Sequence, residues 1–197
     1  MPETPQKPRQ KSKAATARQD ILAAAASKMR RNGYAEMSLR DLATEVGMKA
    51  GSLYYHFPSK DALATEVMRL GVEVVQQAVH EALQAQSTAT ARDRLITAMR
   101  VHLETLLSAS DFSSAHIRCY PFAPEAVRAE LTEVRKDYDR DWNDIISAYL
   151  GAPEDPAQIR HLRHTLLGAL NWSLEWFDPK RDSVEAYITS LTRLLPE

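Results

Sequence analysis

Between Ser38 and Asp61 the chain runs Ser-Leu-Arg-Asp-Leu-Ala-Thr-Glu-Val-Gly-Met-Lys-Ala-Gly-Ser-Leu-Tyr-Tyr-His-Phe-Pro-Ser-Lys-Asp, and this stretch constrains the fold more than any other. Ser38 with Asp41 three residues on reads as a capping box. Leu39, Leu42, Ala43 and Val46 then recur at the spacing that buries one face of a helix. Gly47 supplies the backbone freedom for a tight turn. A second short helix carries Leu53 inward and ends near Phe57, because Pro58 disfavours helical geometry in the residue before it, and Ser59 caps the next helix. Two short helices about a glycine turn are the layout that sets one helix in the major groove of DNA. Lys49, Ala50, Gly51, Ser52, Tyr54, Tyr55 and His56 are left for the outer surface, with one of the two tyrosines able to pack against the first helix instead.

The charge distribution agrees. Residues 1–60 hold eleven Lys/Arg against five Asp/Glu, a balance of +6, and residues 61–197 hold fourteen against twenty-one, a balance of −7. Neutralising phosphates gives nucleic-acid binding its affinity and its salt dependence, so the basic third is where a duplex should lie. Residues 1–15 read as a disordered basic tail, rich in Pro, Gln, Lys and Ala, with Lys7, Arg9, Lys11 and Lys13 on alternate positions. In contact with DNA the same tail becomes an arm on phosphates or in the minor groove.

Everything after the tail reads as helix, an all-α chain in two parts: a three-helix head over residues 16–60 and a helical body over residues 61–197. Thr16 with Gln19 opens a first helix through Arg31, and a long fourth helix from Ser59 carries Leu63, Val67, Leu70 and Val74 into the body. A fifth runs from about Arg92 to Ser108. The stretch from Asp111 to Pro124 is irregular, and a single long helix spans Pro124 to Leu150. Asp155-Pro156 with Gln158 opens a helix bearing Leu162, Leu166, Leu170 and Leu174, and Ser183 begins a last one bearing Tyr187 and Leu191. These two stripes are wide enough for both a core side and a partner side, so those six residues are candidates for pairing with a second copy of the chain. Met99, His102, Arg118, Phe122, Tyr138, Trp142, Asn171 and Trp172 mix apolar and aromatic bulk with a few polar groups, the expected form of a small-molecule cavity, and the body is where it would form.

Enzyme signatures do not assemble. Asp137-x-Asp139-x-Asp141 has the opening spacing of a calcium loop, but Trp142 stands where glycine is needed and Ala148 where glutamate is needed. His161-x-x-His164 lacks any Glu-x-x-His companion, and Cys119 near His116 reads as a buried thiol. No metal, cofactor or catalytic residue is expected. The single cysteine excludes an intramolecular disulfide and fits a reducing cytoplasm, and neither an apolar run of about 20 residues nor a signal-peptide start is present, so no membrane partner is expected.

Gly51-Ser-Leu-Tyr-Tyr-His-Phe-Pro-Ser-Lys-Asp-Ala-Leu63, with Leu39-Arg-Asp-Leu-Ala and Val46-Gly before it, resembles the signature of the TetR family of one-component transcriptional regulators, over about residues 16 to 65. The resemblance implies a homodimeric repressor on a palindromic DNA operator, released when a small molecule enters the body. By position it implies that Ser38, Ser52, His56 and Lys60 hold phosphates and that Arg40, Lys49, Ala50, Gly51 and Tyr54 lie against base edges. Ala50 and Gly51 depart from members with longer polar side chains there, which leaves discrimination to Arg40, Lys49 and Tyr54, with apolar contact to thymine methyls. Gly168-Ala-Leu-Asn-Trp-Ser-Leu-Glu-Trp-Phe-Asp-Pro is similar to a stretch in the subgroup that responds to acyl-CoA thioesters, which makes long-chain acyl-CoA the first effector to consider, planar aromatic drugs the second, and Arg118, Arg128 or Arg135 the partner of ligand phosphates. An activator, or a helical carrier or enzyme with a non-functional head, is the alternative reading.

Overall fold

A computed structural model describes residues 13–195 apart from 87, 109, 110 and 154. Helical periodicity is realised as ten α-helices among the described residues. α1 (Lys13–Asn32), α2 (Leu39–Glu45) and α3 (Ala50–His56) make the head. α4 (Lys60–Gln84) leaves it and enters the body. The body continues through α5 (Ala91–Leu107), α6 (Asp111–Cys119), α7 (Glu125–Glu130), α8 (Thr132–Tyr149), α9 (Pro156–Trp176) and α10 (Val184–Thr192).

Side-chain caps set five of the ten helix starts among the described residues by occupying N–H groups that have no partner within the helix. Ser59 Oγ accepts from Ala62 at 3.0 Å, Asp155 from Ala157 at 2.8 Å and Ser183 from Ala186 at 3.1 Å. Thr90 and Asp93 satisfy each other reciprocally. At Ser38 only half of the expected box forms: its hydroxyl accepts from Asp41 N–H at 3.5 Å, and the Asp41 carboxylate turns to Lys28 instead. Gly47, at φ +68°, makes the turn between α2 and α3 in a region that L side chains rarely adopt.

Three expectations are corrected. α1 opens at Lys13, so Thr16 sits inside its first turn; the rest of the basic tail, with Lys7, Arg9 and Lys11, lies outside the described residues. The stretch after Asp111 is a helix, α6, closed by a 3-10 turn at Tyr120–Phe122. The single helix from Pro124 to Leu150 is two, α7 and α8, meeting at Leu131. Asp, Ser, Phe and His are indifferent helix formers, and α6 is held by its neighbours. It crosses α4 so closely at Gly71 that a Cβ there would lie 2.3 Å from the Phe112 carbonyl oxygen. Ser113 Oγ donates to the Gly71 carbonyl at 3.0 Å across the same crossing.

Two apolar clusters share the interior. Ile21, Ala25, Met29, Leu42, Leu53 and Phe57 form the first together with Leu63, Val67 and Met68 of α4, Ala115 and Cys119 of α6, Val127 and Leu131. The second joins Val72, Val75 and Val79 of α4 to Leu95, Met99 and Leu103, Trp142 and Ile146, Leu166 and Leu170, and Ile188 and Leu191. The changeover falls inside α4, between Met68 and Val72. The packing unit around the head therefore extends past residue 60 and recruits helices distant in sequence. Cys119 is buried there, with its thiol donating to the Met29 carbonyl at 3.4 Å.

Candidate nucleic-acid interface and effector cavity

The head is fastened to α4 by polar contacts around its apolar core. Arg18 pairs with Glu66 and lies 4.7 Å over the Phe57 ring. The Tyr34 hydroxyl donates to the Asp61 carboxylate, and its pKa is raised to about 12, by burial first and by that bond and charge second. Lys60 Nζ donates to the Ala35 carbonyl at 2.8 Å and stands 4.4 Å over the Tyr34 ring. These contacts offset the unfavourable place of a lysine at a helix start, so Lys60 has a structural post as well as the phosphate role the sequence suggests.

α3 turns Leu53 inward and ends on buried Phe57, which presents the opposite face to solvent. Tyr54 is 50% and Tyr55 86% exposed, so neither tyrosine is packed away against α2, the first helix of the motif. Lys49, Gly51 and Ser52 are exposed, His56 and Ser38 half-buried, and Ala50 leans against the head core. A Cβ at Gly51 would meet nothing within 4 Å, leaving its backbone open to close approach. Lys28 and Arg31 are drawn toward Asp41 and Glu45. Arg40 and Lys49 are exposed and, among the described residues, make no ion pair.

In the body, the eight candidate ligand residues separate into three places. His102, Tyr138 and Asn171 line a cavity of about 100 Å³ beneath the α4–α6 crossing. Arg118, Phe122, Asn171 and Trp172 line an open groove of about 590 Å³ between α1, α6 and α9. Met99 and Trp142 reach neither. Both are fully buried, with Trp142 edge-on to His102 at 5.9 Å between ring centres, so they are core and not ligand contacts. The expected cluster of Phe122, Trp142 and Trp172 is not a cluster, because Phe122 is 82% and Trp172 66% exposed while Trp142 is sealed.

The cavity also takes Gly71, Val72 and Val75 of α4, Leu106, Ser113, His116, Ile117, Arg135, Asp139 and Leu167. Asn171 Oδ1 sits 3.0 Å from His102 Nε2, so that nitrogen carries the proton and Nδ1 accepts from the Tyr138 hydroxyl at 2.9 Å. Burial holds this histidine neutral, its pKa lowered to about 4, and pushes the Tyr138 hydroxyl up. His116 Nε2 accepts from Arg135 at 2.9 Å; burial first and the guanidinium charge second lower its pKa to about 3. Sequence places His116 among the polar groups interspersed with the body's aromatic residues, and the structure puts it in the cavity lining. It lies in the stretch read as irregular, and only α6 in its helical form turns it inward.

Of the six candidate dimer residues, Leu166, Leu170 and Leu191 are buried within this chain, packed against α5 and α8, which corrects their assignment to a partner face. Tyr187 donates to the Ala169 carbonyl at 2.9 Å and meets Trp176 edge-on at 4.9 Å, and Leu162 and Leu174 are half-buried. The α9 face left in the open carries His161, Thr165, Gly168, Trp172 and Glu175 instead.

Comparison with known proteins gives a consistent picture. A sequence profile described as bacterial regulatory proteins, tetR family, matches residues 21–67, and one described as tetracyclin repressor-like, C-terminal domain, matches residues 88–195. The HTH-type transcriptional repressor KstR2 of Mycolicibacterium smegmatis is 37% identical over 68 residues, which is 34% of this chain and 30% of that repressor's length. AibR, solved with isovaleryl coenzyme A and operator DNA, superposes with a TM-score of 0.77 at 23% identity, covering 91% of this chain and 97% of its own. The TetR family regulator PfmR from Thermus thermophilus does so at 0.70 and 22%, covering 88% and 95%. At that identity the two structures speak for the fold. No helix among the described residues is long and apolar enough to cross a membrane.

Proposed function

The chain belongs to the TetR family of bacterial regulatory proteins, and from that premise we propose that it is a cytoplasmic, non-enzymatic repressor that binds a palindromic operator as a homodimer and leaves it when a small molecule fills the body. The observation that carries this reading is the open face of α3: Tyr54 and Tyr55 stand in solvent on α3, and Lys49 at its start and Arg40 on α2 are exposed cations that make no ion pair among the described residues. Surface tyrosines and unpaired cations on a helix of a helix-turn-helix have an evident use against a phosphate backbone and base edges. Ser38, Ser52, His56 and Lys60 are the residues we assign to phosphates by their positions in the motif, with Ala50 and Gly51 allowing close approach.

Release follows from how α4 is held. Its first half shares the head's core and its second half lines the cavity. An effector with greater affinity for one placement of α4 shifts the population of head spacings, and only that difference in affinity can drive release. An acyl-CoA thioester is the effector class the site supports: Ile117 and Asn171 line both the cavity and the groove, and the groove carries exposed Phe122 and Trp172 beside Arg30, Arg31 and Arg118, whose carboxylate partners Asp111, Glu45 and Glu175 the phosphates of a nucleotide would replace. AibR carries a ligand of this class. The cavity of about 100 Å³ is smaller than the ~150 Å³ that takes a benzene, so it has room for at most a short acyl group and not for the long chain suggested by sequence. The dimer would form on the open faces of α9 and α10, from Thr165 and Gly168 to Leu194, with Trp172 at the border between groove and interface.

Selection of bound duplexes from a random pool should return an inverted repeat. On that duplex Tyr54→Ala and Lys49→Ala should weaken binding by tenfold or more, on the order of 1–3 kcal/mol per contact, with unchanged melting temperature. Lys49→Ala should also relax the sequence preference at one base position of each half-site, whereas Lys60→Ala should lower the salt slope by about one. A pool that enriches no sequence would overturn the reading.

A further inference from the structure

Of the three arginines that sequence offers to the ligand, two are occupied elsewhere. Arg118 bonds Glu175 at 3.0 Å, the Arg30 carbonyl at 3.2 Å and the Leu174 carbonyl at 3.1 Å. Arg128 donates to the Ala123 carbonyl at 2.7 Å. Arg135 differs. It lines the cavity, and among the described residues no carboxylate lies within ion-pair distance of it. Its neighbours on α8 and α9 are served: Arg140 by Asp137 and Arg163 by Asp139 at 3.5 Å. Asp139 is the single acid in the cavity lining among the described residues, and Arg163 holds it.

What surrounds Arg135 orients it without neutralising it. The Tyr120 ring lies 3.8 Å from the guanidinium carbon, covering one face, and His116 Nε2 takes one N–H at 2.9 Å. Because His116 accepts that bond, it contributes no positive charge of its own and fixes the fork. A half-buried guanidinium beside an apolar cavity, oriented by two aromatic rings and lacking an anion, fits a planar acceptor that arrives from outside. We propose that the effector carries a terminal carboxylate and that Arg135, oriented by His116 and Tyr120, is the residue that reads it. This rests on the acyl-thioester reading above and narrows it to a short dicarboxylic acyl group, with thioester toward Asn171 and free carboxylate on Arg135.

The test uses the full chain on its selected operator, with four probes: glutaryl-CoA, valeryl-CoA, free CoA and free glutarate. Operator release and intrinsic tryptophan fluorescence are followed together. Glutaryl-CoA should act at about tenfold lower concentration than valeryl-CoA or less, the range of a hydrogen bond to a charged group. Arg135→Met should abolish that preference, read as the ratio of the two thioesters' half-release concentrations in the same folded variant. Arg135→Lys, which keeps the charge but loses the fork, should fall between. Operator affinity without ligand and the melting temperature report whether each variant is folded, and His116→Gln gives a second route to the same loss through misorientation of the guanidinium. Equal potency of the two thioesters, or a preference that survives Arg135→Met in folded protein, overturns the carboxylate assignment and leaves the acyl-CoA reading standing. Release by free glutarate through Arg135 with no added effect of CoA overturns the thioester and keeps the carboxylate. Silence from all four probes overturns both.

Discussion

His102 and His116 are the two side chains whose state the cavity depends on, and both are held neutral by burial, with pKa values of about 4 and about 3. Each lies below the ordinary histidine value of about 6.5. The stability they confer is therefore complete above pH ~6.5 and drains away as pH falls toward 4, because the unfolded chain takes up the protons first, at up to about 1.4 kcal/mol per pH unit for each ring. Melting temperature should fall steeply between pH 6.5 and 4.5, and His102→Gln, which cannot titrate in that window, should flatten the slope; a wild-type curve level across it would contradict the burial described. The same pair shows how far sequence reaches. His102, Tyr138 and Asn171 stand out because polar groups among aromatics mark a site. Arg135 is one of three arginines that sequence offers to the ligand and cannot be chosen among them, since nothing in a linear pattern tells a paired arginine from an unpaired one.

At the scale of elements, periodicity locates the helices that carry their own caps and apolar stripes, such as α2, α4, α5 and α9. It misses α6, whose residues favour helix weakly and which exists because α1 and α4 pack on it. The crossing at Gly71 is therefore a sensitive point. In Gly71→Ala the new methyl would lie 2.3 Å and 2.8 Å from the backbone oxygen and carbon of Phe112, and backbone cannot swing aside as a side chain can. Overpacking of this kind costs about 1–3 kcal/mol, and forcing α6 off α4 also opens the cavity roof. A lowered melting temperature together with altered ligand response is expected, and a variant with wild-type values of both would mean that the two helices slide freely. The stripe on α9 misleads in the other direction: its leucines are apolar because they face α5 and α8, while the surface available to a partner is built of Thr, Gly, His and one Trp.

For the molecule as a whole, that reversal changes which substitutions separate subunits from which ones unfold them. Thr165→Arg with Trp172→Glu should give a folded monomer by sedimentation, with operator affinity much reduced because one head reads half a site. Leu170→Ala should instead cost about 2–5 kcal/mol of fold stability through the cavity it leaves. If the double variant remains dimeric at micromolar concentration, the pairing face lies elsewhere. The division into basic head and acidic body, +6 against −7, is legible in composition, and the structure adds that part of the head's positive charge is already spent on Asp41, Glu45 and Glu66. The apolar seam that passes through α4 bears on how such proteins diversify and can be recombined. Ala115, Cys119, Val127 and Leu131 complete the core beneath α1, so a head cut out at residue 60 and joined to a foreign sensor would lose its floor. The portable unit is discontinuous: α1 to α3, the start of α4, α6 and α7 travel together, and chimeras that respect this boundary should keep their operator while exchanging their signal.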